Sequence, residues 1–303
     1  MSQELHASVS NEPDPLAAAT EPGSTLEEPS TGAGDAPVPA GDDGVERVGG
    51  YRLPDPPEAA ARAVRDIGEA SYGPPAAGPE AVHLPDDRVQ ITDTGVYPWR
   101  VHCFLEITAA DGSHWIGTAW FIGPHTLATA GHVVHVKHSG VPGRDGWVRS
   151  VTVWPGRSGN FKPYGPVVAT SFRSVLGWTR DGSEDHDYGA IVLPTDLGST
   201  TGWFGFGAWS DADLLQVVGN ISGYPADKPY ATQWYDARRI DSVGPHKVYY
   251  DIDTFGGQSG SAVYRLVNGG RYGAAVHAYG GGRVNSGTRI TTPVRDNYAA
   301  WKA

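Results

Sequence analysis

Over residues 81–303 the chain is broken every few residues by Gly, Pro or Asp. Between the breaks lie short runs rich in Val, Ile, Tyr and Trp, among them "WRVHCFLEI", "HWIGTAWFI", "VRSVTVW", "YGAIVL", "KVYYDI", "GSAVYRL", "YGAAVHAYG" and "GTRITTP". Apolar, β-branched and aromatic runs of this length between turn residues are β-strands rather than helices. So many of them within 223 residues predict an all-β fold of two packed antiparallel β-barrels. Barrel one is expected over about 81–200 and barrel two over about 201–290, with the division near "PTDLGSTTGWFG". The tail spaces Val294, Tyr298 and Trp301 at helical intervals, which predicts a C-terminal helix over about 292–302. No apolar run approaches the roughly 18 residues that a membrane span needs, so no membrane partner is expected.

Charge divides the chain. Residues 1–80 hold 15 acidic and 4 basic side chains, whereas residues 81–303 hold 19 of each. The first 50 residues contain no Phe, Trp or Tyr and 13 Gly plus Pro. Such a segment cannot bury enough apolar surface of its own to offset chain entropy, which predicts a largely disordered acidic leader over 1–80. Within it "PEAAARAVRDIGEA" puts Ala60, Val64 and Ile67 on one helical face, predicting a short helix over 57–70. The neutral body carries no basic stripe, which argues against a nucleic-acid partner. The leader has 9 Glu and 6 Asp, but the body has 17 Asp and only two Glu, Glu106 and Glu184. A protein that cuts after glutamate would be under pressure to exclude glutamate from its own body.

Cys103 is the only cysteine, so no intrachain disulfide can form; in "RVHCFLEI" it reads as a buried thiol. The histidines at 125, 132, 135 and 138 lack a metal-ligand arrangement such as HExxH, and no metal or cofactor is expected. The N-terminus has neither a basic start nor an apolar stretch, so no signal peptide is visible and the sequence alone reads as cytoplasmic.

Three residues carry candidate chemistry. His132 ends the strand-like run of "TLATAGHVV", Asp187 directly precedes an apolar strand in "EDHDYGAIVL", and Ser259 sits among three glycines in "DTFGGQSGSAVY". A serine hydroxyl is a weak nucleophile until an imidazole accepts its proton, and the imidazole works best when a carboxylate holds its tautomer. The N–H groups of Gly257 and Ser259 would then serve as an oxyanion hole. Asp185 competes for the carboxylate role; Asp187 is preferred because it lies immediately before the strand.

"TAGHVV", "DYGAIVL", "SGYPADKP", "DTFGGQSGSAVY" and "AAVHAYGGGRVNSGTRIT" together resemble the chymotrypsin-fold glutamyl endopeptidases of bacteria, over roughly residues 84–303. The resemblance implies that the two barrels are chymotrypsin-like and that His277 and Thr254 bind the substrate glutamate. It further implies secretion. Valine follows His132 where many relatives have a disulfide cysteine, and Gly280 replaces a polar residue found in some pockets. The resulting expectation is a monomeric serine endopeptidase cutting protein or peptide substrates after glutamate, and secondarily aspartate. It would be made as a zymogen whose leader is removed by a cut between Glu80 and Ala81. A trypsin-fold peptide-binding module without turnover, or a serine esterase, are the alternatives.

Overall fold

The structure is a computed structural model that describes residues 2–12, 25–34, 38–54, 82, 85–215, 217–281 and 284–302. Two antiparallel β units dominate it. The first is a row of eight strands, whose centre runs from Gly189–Val192 through Thr126–Thr129, His114–Phe121 and His102–Thr108 to Ser150–Pro155. The second closes on itself. From Ala262–Val267 it passes through Val218–Gly223, Trp234–Val243, Lys247–Tyr250, Val284–Arg289 and Gly270–Gly281, and the last of these pairs again with the first. Val89–Gln90, which precedes every central strand of the first unit, pairs with Trp234–Val243 in the second.

One hydrophobic core runs across both units. Trp120 of the first meets Phe204, whose ring lies 4.8 Å from that of Tyr264 in the second. The helix Thr292–Trp301 buries Val294, Tyr298 and Trp301, the three residues whose spacing announces it. Trp301 O accepts a 2.7 Å bond from Thr126 Oγ1, which ties the end of that helix to the first unit. Cys103 is buried and free, and burial pushes its thiol pKa well up.

The described parts of the leader depart from the expectation of disorder. Ser8–Ser10 adds a strand to Ser171–Val175, at the edge of the first unit, and Leu26–Glu27 pairs with Gly205–Gly207 of the second. Val45, Val48, Tyr51 and Leu53 pack against Trp99 and Tyr235. Low apolar content excludes a core belonging to the leader; it does not prevent the leader from completing sheet edges that the body leaves open. The expected helix over 57–70 and the bond between Glu80 and Ala81 lie outside the described residues.

Candidate active site

His132 lies in a single helical turn, Gly131–Val134, that follows the strand Thr126–Thr129, and it is buried. Asp187 follows the turn Glu184–His186 and stands two residues before the strand Gly189–Val192, which pairs with Thr126–Thr129. That pairing brings the two residues together. Asp187 Oδ2 lies 2.7 Å from His132 Nδ1, while Oδ1 accepts the His132 backbone N–H, also at 2.7 Å. One carboxylate therefore holds both the ring and the backbone of the histidine. Gly131 is what permits the approach, since a Cβ there would stand 2.9 Å from Asp187 Oδ1 and 2.8 Å from Trp178 Cδ1. Asp185, the competing carboxylate, is exposed.

Ser259 is fastened to the strands that deliver His132. Its carbonyl accepts from Thr118 N at 3.0 Å, and Thr118 O accepts from Thr129 Oγ1 at 2.8 Å, three residues before His132. Gly260 has φ 91°, and a Cβ on it would collide with Thr118 O and Thr129 Oγ1, so only glycine lets the turn sit this close. Gly257, at φ 102°, gives its carbonyl to Thr118 Oγ1 at 2.8 Å. Among the described residues, the N–H groups of Gly257 and Ser259 donate to nothing and the Ser259 hydroxyl has no hydrogen-bond partner.

His277 is fully buried on the other side of the turn. Its carbonyl accepts from Gly260 N at 2.7 Å and its N–H donates to Ser261 O at 2.8 Å, so its backbone brackets the residues after Ser259. Its Nδ1 lies 2.7 Å from the hydroxyl of Tyr250. Thr254 is fully buried, and among the described residues its hydroxyl has no hydrogen-bond partner.

No protein-family model matches the chain. A glutamyl endopeptidase of Bacillus licheniformis is 41% identical to it over 225 residues, covering 72% of this chain and 67% of that protein. An extracellular metalloprotease of Bacillus subtilis is 36% identical over 225 residues, covering 74% and 70%. A solved structure of a Glu endopeptidase in complex with MPD superposes with a TM-score of 0.62 at 28% identity, covering 73% of this chain and all of that one. The chain belongs to the glutamyl endopeptidase family.

This family member is a serine peptidase with the chymotrypsin fold. The name of the Bacillus subtilis relative raises the question of a metal. Among the described residues no group of three or more His, Cys, Asp or Glu side chains is arranged to hold one. His135 packs edge-on to Trp147 at 4.9 Å, and His138 Nε2 lies 3.2 Å from Gly182 O.

Two features of this serine peptidase are not evident from motifs. Tyr250 is one; its only sequence signal is alternation in "KVYY", which turns Tyr250 inward while Tyr249 stays half-buried. The other is Asp236, fully buried in the strand Trp234–Val243. Its carboxylate accepts the Asp253 N–H at 2.8 Å, directly before Thr254, and Tyr51 of the leader donates its hydroxyl to it at 3.1 Å. Burial, opposed by the nearby Arg238 guanidinium, pushes its pKa up to about 6.

Proposed function

We propose that this serine peptidase hydrolyses peptide bonds after glutamate with His132, Asp187 and Ser259 as its catalytic residues, and that it is made as a zymogen. The observation that carries the reading is the double hold of Asp187 on His132. With Nδ1–H donated to Asp187, Nε2 has the lone pair needed to take the Ser259 proton as Oγ attacks the substrate carbonyl. The developing oxyanion is met by the N–H groups of Gly257 and Ser259. Protonated His132 then gives its proton to the leaving amine, the acyl–oxygen bond to Ser259 remains, and a water activated by His132 releases the acid product.

Specificity rests on His277 and Thr254. With Tyr250 donating its hydroxyl proton to Nδ1, His277 carries its own proton on Nε2 and becomes a donor to the substrate carboxylate, with the Thr254 hydroxyl as a second donor. Glutamate is favoured over aspartate, since the body holds 17 Asp against two Glu and would otherwise present many sites to itself. Glu80 is the last glutamate before the body, so the enzyme's own specificity suffices to sever the leader from the body.

The test is incubation of the protein with a mixed peptide library, with cuts mapped by mass spectrometry beside Ser259→Ala. Cuts after glutamate in the wild type alone support the reading. Cuts spread over other residues, or equal cutting by the variant, overturn it.

A further inference from the structure

The strand His114–Phe121 leads away from the reactive turn. Along one side of its pleat lie Thr118, Ile116 and His114, at roughly 7 Å per two residues. Thr118 holds the carbonyls of both Gly257 and Ser259. Ile116 comes next; its Cδ1 stands 3.0 Å from where a Cβ on Gly257 would be. On the neighbouring strands Glu106 is level with Ile116 and Thr152, and Thr108 is level with His114. Glu106, Thr108, His114, Ile116 and Thr152, together with Trp115 and Tyr230, line a cavity of about 580 Å³. Ile116 thus brings the cavity next to Gly257, while His277 and its partner Tyr250 belong to the closed barrel.

Its chemistry is specific. Glu106 is the one carboxylate in the lining. Trp154 Nε1, Arg157 Nη1 and the Tyr230 hydroxyl donate to it at 2.9, 3.0 and 2.9 Å, which sets its position. Burial would raise its pKa, but these bonds and the Arg157 charge outweigh burial and hold it below the usual carboxylate range, so it stays ionised. Tyr230 is 59% exposed, among the few large apolar side chains left open to solvent. Its ring is pinned edge-on to Phe104 at 5.3 Å, with the Arg157 guanidinium 5.3 Å from its centroid. A rigid, exposed aromatic beside an ionised carboxylate matches a side chain with an apolar stem and a cationic head.

We propose that this cavity binds a lysine or arginine side chain of the substrate one to three residues after the cleaved bond. Its head is met by Glu106 and its stem lies over Tyr230 and Ile116. The proposal rests on Ser259 being the nucleophile. An extended peptide advances about 3.3 Å per residue, so the segment leaving past Gly257 covers the row from Ile116 to His114 within that reach.

The experiment uses the full-length protein and peptides with one glutamate followed by three positions, each set in turn to Lys or Gln. At one of those positions, kcat/KM is expected to rank Lys over Gln, with Lys about five-fold better than Gln at low salt, as for a partly exposed ion pair. The ratio should approach one in 0.5 M NaCl and in Glu106→Gln. A ratio that does not respond to salt, or that persists in Glu106→Gln, overturns the proposal; the salt series on the wild type decides if the variant does not fold. The all-Gln peptide separates the two levels. If it is cut after glutamate and no position discriminates, the cavity assignment fails alone. If no peptide is cut, the nucleophile assignment fails and this proposal with it.

Discussion

The hydroxyl of Tyr250 lies 2.7 Å from Nδ1 of His277, and both residues are fully buried. Tyr250 comes from Lys247–Tyr250 and His277 from Gly270–Gly281, two strands separated in the barrel by Val284–Arg289, which pairs with both. The contact thus spans three strands; with the hydroxyl as donor the imidazole proton sits on Nε2, as the proposed specificity requires. Tyr250→Phe removes that donor without changing the ring. It is expected to lower kcat/KM for a glutamate substrate by about five- to ten-fold, in line with the loss of one buried hydrogen bond. The matched glutamine substrate should change less. His277→Ala should cost the glutamate substrate more again, about 1–3 kcal/mol, because the substrate carboxylate loses its donor. Parallel kinetics on the two substrates check both variants, and equal losses on both would make the pair structural.

A second expectation concerns how the leader is held. Glu46 and Arg271 form a bidentate pair, Nε to Oε1 at 2.9 Å and Nη2 to Oε2 at 2.7 Å, with both side chains buried. Arg271 Nη2 also donates to Val38 O at 2.8 Å, so leader residues meet this guanidinium twice. Glu46→Leu leaves an uncompensated buried cation and is expected to cost about 3–5 kcal/mol, whereas Glu46→Leu with Arg271→Met should recover most of that loss. Denaturant unfolding of the three proteins on a Ser259→Ala background provides the measurement.

The docked leader should also respond to pH. His6 packs 4.7 Å from His186 and 6.5 Å from His246, ring centroid to centroid, and its Nδ1 lies 2.9 Å from the Tyr188 hydroxyl. Asn297 Nδ2 donates to its backbone carbonyl. Burial first, then the nearby His186 and His246, lower its pKa to about 4, and burial likewise lowers that of His186, with Asp185 and Asp181 acting the other way on His186. A released His6 takes up a proton near pH 6.5, whereas the docked one resists until about pH 4. Docking of the first strand is therefore insensitive to this group above pH 6.5 and weakens progressively from there down to about pH 4. Hydrogen exchange over Ala7–Ser10, corrected for its intrinsic pH dependence, should show protection lost across that window in Ser259→Ala. His6→Gln should remove the part of the pH dependence that His6 supplies.

The candidate site was legible where its chemistry had to be written in contiguous residues. "TAGH", "DYGAIVL" and "GGQSGS" each pair a candidate side chain with the glycines or strand that position it; Asp185 is exposed and Asp187 is buried. The C-terminal helix was legible for a similar reason, since Val294, Tyr298 and Trp301 repeat at its period. Tyr250 was not, because an inward tyrosine on a strand has the same pattern whether it fills a core or orients a histidine. The leader was hidden for a different reason. Ser8–Ser10 becomes a strand only beside Arg173–Val175, and Glu46 is buried only because Arg271 waits 225 residues away. Composition within a segment cannot report partners at that separation.

The final expectation joins the leader to the proposed specificity. If the enzyme matures itself, the cut falls between Glu80 and Ala81, after the last glutamate of the leader. Purified wild type should acquire a new terminus at Ala81, while Glu80→Gln and Ser259→Ala should keep Met1 or its neighbour as their terminus. Because the leader contributes strands to both β units and buries Glu46 on Arg271, cutting alone does not remove it. The fragment should co-elute with the body at pH 7.5 and separate more readily at pH 5, where His6 favours the released state. N-terminal sequencing and size-exclusion chromatography at the two pH values read these outcomes directly. Processing of Ser259→Ala at Ala81 with no other protease present would show that the enzyme does not make this cut. Immediate loss of the fragment at pH 7.5 would show that the docking contacts do not hold the severed leader.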